Sequence, residues 1–331
     1  MIMNVRNIFP RYFDILEENG IAKYIQCKNV SVNFSKIDTT DLLWKKHDTA
    51  IQNMKICDIE PEQSLLDLKT ELASRMFRQC SFCERRCKVD RTKISGNCGV
   101  KQSTIASEFL HHGEESLLVP SYTVFFYGCN FHCVFCQNWD ISQRNTGIFI
   151  KPSRLAKMIC ERKHQGANNV NWVGGDPTPN VLYILETLKN CEVNLPQIWN
   201  SNMYCSHETI KLLNGVIDLY LTDFKYGNDK CAKRLSKVEN YIDIIKRNHI
   251  IVEKNGEMII RHLVMPNHIE CCSKSILLWI ADNIPNISVN IMGQYHADYF
   301  AKNYQEISCS ISSDDIRAVE DIAKKLQIIS L

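Results

Sequence analysis

Residues 123–142 read TVFFYGCNFHCVFCQNWDIS. The apolar, aromatic run Thr123–Tyr127 predicts a β-strand, and it ends at Gly128 beside a cysteine. Cys129, Cys133 and Cys136 follow with three and then two residues between them. Cysteines set this tightly at the end of a strand point to metal ligation. Outward from this stretch the chain alternates. NVNWVGGD (169–176), QIWNSN (197–202), VIDLYLTDF (216–224), MIIRHLVMP (258–266) and SVNIMGQY (288–295) bring the predicted strands to six. Helical spacing recurs between them, from about Pro152, Val181 and Glu208, and again from about Asp314. Near-continuous apolar strands separated by helices predict a parallel sheet covered by helices. Six such units suit an α/β fold built as a partial (β/α)6 TIM-like barrel, with reactive groups where strands end.

The chain has 331 residues, 45% of them apolar, and a formal net charge of +2. That length can bury a large core, and the charge gives no basis for steering nucleic acid. No apolar run is long enough to span a membrane. The first residues, MIMNVRNIFPRYFDILEENG, have no apolar leader block, so a cytoplasmic protein is expected. Three regions follow: an extension over 1–64 with weak periodicity, a helix plus cysteine-rich segment over 65–122, and the barrel over 123–331. The helix is marked by Leu65, Leu68, Leu72 and Met76.

Cysteine is the anomalous residue, with 16 copies, seven of them between Cys80 and Cys136. The scattered ones, Cys27, Cys160, Cys191 and Cys231 among them, read as small buried hydrophobes. Cys80, Cys83, Cys87 and Cys98 form a small cysteine-rich metal-binding extension ahead of the barrel, since four close thiolates make a closed site. Zinc is the simplest occupant, and an auxiliary iron–sulfur cluster takes the same ligands. Arg85, Arg86, Lys88, Arg91 and Lys93 surround it, either to offset thiolate charge or as a solvated basic face.

Iron–sulfur cubanes usually take four thiolates. Cys129, Cys133 and Cys136 alone would leave one iron open to a chelating amino and carboxylate pair. Phe135 stands where it could pack on an aromatic ring. A zinc knuckle completed by His132 is the alternative.

The cysteine spacing, with an aromatic residue before the last cysteine, resembles the signature of the radical S-adenosylmethionine (SAM) superfamily. The longer string CNFHCVFCQNWDISQ is similar to the pyruvate formate-lyase-activating-enzyme-like group. The resemblance implies a [4Fe–4S] cluster on Cys129, Cys133 and Cys136, with SAM on the open iron. It implies reductive cleavage to a 5′-deoxyadenosyl radical that takes hydrogen from substrate. Gly174, Gly175 and Asp176 resemble the Gly-Gly-Glu motif that receives the SAM ammonium, with an acid one methylene shorter. Asn200, Ser201 and Asn202 fall where relatives offer polar groups to the ribose or carboxylate. Asp223 and Lys225 resemble the Asp-x-Lys pair that glycyl-radical activases place beside substrate, although an ordinary ion pair would look the same. Arg261 and His262, and Gln294, Tyr295 and His296, are expected at the same mouth, His296 as a loop histidine. His111–Glu115 is expected as a loop against that mouth. The resemblance further implies a reducing partner such as flavodoxin or ferredoxin. The substrate is a partner protein, another peptide or a small metabolite. A zinc-binding structural protein is the reading from another class.

Overall fold

Seven β-strands run parallel in sequence order, and an eighth runs antiparallel at the leading edge of the same sheet. A computed structural model describes residues 5–144 and 146–331. The strands are β1 (Ile105–His111), β2 (Ser121–Phe126), β3 (Asn169–Gly174), β4 (Gln197–Ser201), β5 (Leu219–Asp223), β6 (Glu257–Leu263), β7 (Ser288–Met292) and β8 (Ile329–Ser330). β2 to β7 are the six expected strands. The antiparallel β1 and the two-residue β8 are additions at the two edges. The order ends at β1 and β8 without pairing them, so the architecture is a partial barrel.

Five helices precede the barrel: α1 (Val5–Ile8), α2 (Pro10–Leu16), α3 (Lys23–Lys28), α4 (Thr40–Gln52) and α5 (Leu65–Arg78). α5 begins at a capping box in which Ser64 and Asp67 satisfy each other's backbone amides. It buries Leu65, Leu68, Leu72 and Met76, the residues whose spacing predicted it. Around the sheet lie α6 (Trp139–Ser142), α7 (Pro152–His164), α8 (Val181–Lys189), α9 (His207–Leu213), α10 (Asp229–Ser236), α11 (Tyr241–Asn255), α12 (Lys274–Asn283) and α13 (Ser313–Lys325). No helix of the described residues is long and apolar enough to cross a membrane.

Strand alternation sorts the core into two parts. Trp172, Trp199, Tyr220 and Ile260 face the helices in the large core. Ile198, Leu219, Leu221 and Ile259 point the other way, into the barrel, and meet Phe9, Tyr12 and Leu118 there. Residues 5–64 therefore contribute packing to the barrel itself. α2 is anchored at its N-terminus by Glu257, whose carboxylate accepts the amides of Arg11 at 2.7 Å and Tyr12 at 2.9 Å. The Tyr12 hydroxyl accepts a 2.8 Å hydrogen bond from Asn169 on β3. These contacts stopper the end of the barrel where the strands begin.

Truncating this stopper should be costly. Phe9→Ala removes a fully buried ring and is expected to lower stability by about 3–5 kcal/mol. A thermal melt followed by circular dichroism checks this; an unchanged midpoint would mean that α2 does not belong to the cooperative core.

Candidate active site

The strands end around one cavity of about 250 Å³. Cys129, Cys133, Cys136 and Phe135 line it from the loop after β2, and Gly174, Gly175 and Asp176 from the end of β3. Asn200, Ser201 and Asn202 come from β4, Asp223 and Lys225 from β5, and Arg261 from β6. Candidates from all five strand ends thus reach the same space, His262 on β6 excepted.

The three thiols are buried, and burial pushes each one up, Cys133 to about 12 and Cys129 well above its ordinary value. Donors nevertheless point at each sulfur. The Phe131 amide donates to Cys129 at 3.3 Å. The Ser236 hydroxyl lies 2.9 Å from Cys133 Sγ, and Ser142 Oγ lies 3.2 Å from Cys136 Sγ. Three converging sulfurs, dressed with donors but too buried to ionise unaided, fit thiolate ligands whose charge a metal cluster would neutralise. His132 does not join them. Its ring nitrogens are taken by Gln143 at 2.7 Å and Asn97 at 2.8 Å, so it is no fourth ligand for a knuckle.

Close backbone approach explains the paired glycines. Gly174 adopts φ +126°, and a Cβ there would lie 2.3 Å from the Phe126 backbone. Asp176 turns its carboxylate into the protein. Its oxygens accept from the Thr178 amide at 2.9 Å, Ser201 Oγ at 3.0 Å and the Asn202 amide at 2.9 Å. It is a positioning residue for the end of β4. Asn202 in turn donates to Asn130 Oδ1 at 2.7 Å, tying β4 to the cysteine loop.

Opposite the cysteines lies a partly buried charge network. Lys225 Nζ donates to Asp223 Oδ2 at 2.7 Å, and Arg261 lies 3.3 Å from Asp223 Oδ1. Arg261 also bonds Asn200 and reaches Glu114 at 3.5 Å. Burial opposes the charge on Asp223, but Lys225 and Arg261 overcome it and hold the carboxyl below its usual range.

Two expected placements are corrected. His262 does not line the mouth. It faces out of the barrel, fully buried, with Nδ1 2.8 Å from the Phe224 carbonyl and Nε2 2.8 Å from Ser273 Oγ. Alternation accounts for this, because its neighbour Arg261 points inward. The His111–Glu115 loop follows the antiparallel β1 and so enters at the other end of the barrel, away from the mouth. Glu114 accepts from Asn171 at 3.2 Å, and Glu115 accepts from Asn290 at 2.9 Å. His296 is exposed, and Tyr295 donates its hydroxyl to the Ile307 carbonyl at 2.6 Å.

Cys80, Cys83, Cys87 and Cys98 face one another within electrostatic reach. Each sulfur accepts a backbone amide: Cys80 from Phe82, Cys83 from Arg85, Cys87 from Asn97 and Cys98 from Val100. Such donors prepare thiolates for a metal. Arg91 is buried beside Cys80, with Nε donating to the Val100 carbonyl at 2.8 Å, whereas Lys93 is exposed. Arg85 reaches across to the Asn130 and Lys237 carbonyls, bracing the neighbouring cysteine loop.

Ser142, Ser236 and Glu114 were missed as site residues. Ser142 lies in the opening motif, where its hydroxyl was the only signal; Ser236 and Glu114 reach the site from remote elements.

A barrel of this form, with three buried cysteines at its mouth, defines a class of iron–sulfur enzymes that carry out radical chemistry. Residues 123–280, a little under half of the chain, match the Radical SAM superfamily profile, so the chain carries a radical SAM domain. The cofactors of that family are a [4Fe–4S] cluster and SAM. The chain is also 46% identical to the uncharacterized protein MJ0674 of Methanocaldococcus jannaschii, over 96% of this chain and 97% of that one. Similar solved structures include SuiB of Streptococcus suis bound to S-adenosylmethionine, 17% identical with a TM-score of 0.47. That match covers 62% of this chain and 48% of SuiB, so this chain spans about half of SuiB's length. Methylornithine synthase (PylB) is 12% identical with a TM-score of 0.45, over 96% of this chain and 77% of that one.

Buried neutral histidines set an acid limit. Burial lowers His249 and His262 to about 4. Between that value and the unfolded value near 6.5 the unfolded chain binds the extra proton, so stability falls as pH drops through this window. His262→Gln is expected to flatten the pH 7 to pH 5 loss by about 1–2 kcal/mol. Urea midpoints at the two pH values check this, and identical slopes for wild type and variant would contradict it.

Proposed function

We propose that Cys129, Cys133 and Cys136 hold the [4Fe–4S] cluster and that the radical is directed at a protein substrate, a glycine Cα of a partner being the favoured target. The observation that carries this reading is the partly buried Asp223–Lys225 pair, 2.7 Å apart, in the same cavity as the three cysteines. When bound, the cluster and SAM supply one-electron reductive cleavage and a carbon radical able to take a hydrogen atom. The chain does the rest. The Gly174–Gly175 backbone receives the SAM ammonium, and Asp176 holds Ser201 and Asn202 towards the ribose or carboxylate. Phe135 packs against the adenine. Lys225 and Asp223 offer one donor and one acceptor to a substrate peptide group, fixing the C–H bond. Arg261 keeps Asp223 ionised. A flavodoxin or ferredoxin supplies the electron. The Cys80, Cys83, Cys87 and Cys98 quartet is read as a structural zinc site, with an auxiliary cluster as the alternative.

A small polar metabolite is the second reading. Arg261, partly buried on the cavity wall, suits a substrate carboxylate.

The test is 5′-deoxyadenosine formation by reconstituted, dithionite-reduced protein given SAM anaerobically. Wild type is expected to form it, and Cys133→Ala is expected to fall to background. Asp223→Asn should keep slow SAM cleavage but lose about 100-fold in substrate-coupled turnover, the scale of removing one partner of a buried charge pair. No product from protein carrying iron and sulfide would reject the reading. Equal coupled turnover in Asp223→Asn would remove the pair from it.

A further inference from the structure

A second constellation of ligating side chains lies outside the cavity, where α10 meets the segment after β6. Cys231 is in the first turn of α10, His268 follows β6, and Cys271 belongs to the π-helical turn Ile269–Ser273. Their ligand atoms all lie within 4.8 Å of one another. Tetrahedral zinc with Zn–S bonds of about 2.3 Å needs donors roughly 3.8 Å apart, so these need move only slightly to enclose one ion. Cys272 adds a third sulfur beside them, 3.9 Å from Cys271 Sγ and hydrogen-bonded to Cys231.

The surroundings hold this arrangement. His268 Nδ1 lies 2.7 Å from the Pro266 carbonyl, which directs Nε2 towards the Cys231 sulfur. Orientation of a histidine by a backbone carbonyl is the usual support for a metal ligand. One side chain positions two of the cysteines: Asn228 Oδ1 accepts the Cys231 amide at 2.8 Å, and Nδ2 donates to the Cys271 carbonyl at 2.9 Å. Gly227 lets the two segments touch, because a Cβ there would lie 2.6 Å from the Cys271 carbonyl oxygen. The π-helical turn inserts a residue that re-aims its neighbours, a device concentrated at functional sites. All three sulfurs are free thiols, and a disulfide would make no use of the histidine.

We propose that Cys231, His268 and Cys271 form a mononuclear site for a thiophilic divalent cation of the zinc class, with the buried Cys272 thiol beside it. Its role is structural, with three protein donors from two chain segments gathered on one ion. It pins the start of α10 to the π-helical turn. The other end of α10, five residues on and about 7.5 Å along the helix axis, carries Ser236, whose hydroxyl contacts Cys133. The ion thus steadies one wall of the cavity from outside.

Zinc per chain, counted by mass spectrometry on the full-length protein purified anaerobically, tests the proposal. The Cys231→Ser/Cys271→Ser variant is expected to carry one equivalent less than wild type, and the same loss of one equivalent is expected when the two substitutions are made in a Cys80→Ser/Cys98→Ser background, where any zinc of that quartet is already gone. Differential alkylation of the wild type supplies a readout that needs no variant. After chelation, added Zn²⁺ alone should protect Cys231 and Cys271 together. Unchanged zinc in the first variant, unprotected thiols, or recovery of a disulfide among these cysteines would each overturn it.

Discussion

The Asp176 carboxylate accepts hydrogen bonds from Thr178, Ser201 and Asn202, while its own amide donates to the Gly128 carbonyl at 3.1 Å. The ends of β2, β3 and β4 are held together through this one side chain. Burial raises its pKa, and the three donors work against that rise. A carboxylate in such a place is tolerable only while its donors stay in position, so it enforces the geometry that stabilises it. The paired glycines before it admit no side chain, which makes the junction compact as well as polar. The cysteine loop, the Gly-Gly turn and the Asn200–Asn202 segment share one rim for this reason.

Across the cavity the constraint is charge. Asp223, Lys225, Arg261 and Glu114 are all largely withdrawn from solvent, though not fully buried, and all paired. Buried ion pairs add little net stability, and removing one member exposes the desolvation cost of the others. Their retention in a functional cavity points to positioning. The loop carrying Glu114 reaches this network from the far end of the barrel, so the antiparallel β1 is part of the site although it contributes no residue to the mouth.

What the sequence made legible followed from local pattern. β2 to β7 announced themselves as apolar runs, and the polar residues at their ends proved to share one cavity. The cysteine spacings marked two candidate metal-ligand groups, and in each the sulfurs prove to lie together. Less was readable where the determinants were long-range. α1 to α3 are short, and two of their decisive contacts, Glu257 to the start of α2 and Asn169 to Tyr12, join residues more than a hundred positions apart. β8 has only two residues and exists because β7 offers it an edge. His262 was misplaced because its polarity was read without the two-residue alternation that turns it outward. Cys231 looked like a lone apolar cysteine, since its companions stand 37 or more residues away. Ser236 reaches Cys133 only because α10 folds back over the loop.

Phe9 and Tyr12 stopper the barrel where its strands begin, and the cysteine-lined cavity occupies the opposite end. A vessel sealed at the bottom has one doorway. Whatever occupies its depth must enter first and leave last, and a molecule seated at the rim becomes the cover for the one beneath. A polypeptide cannot be threaded through such a vessel; it has to offer a bend or a loose end. Order of loading is thereby written into the walls, without any moving part.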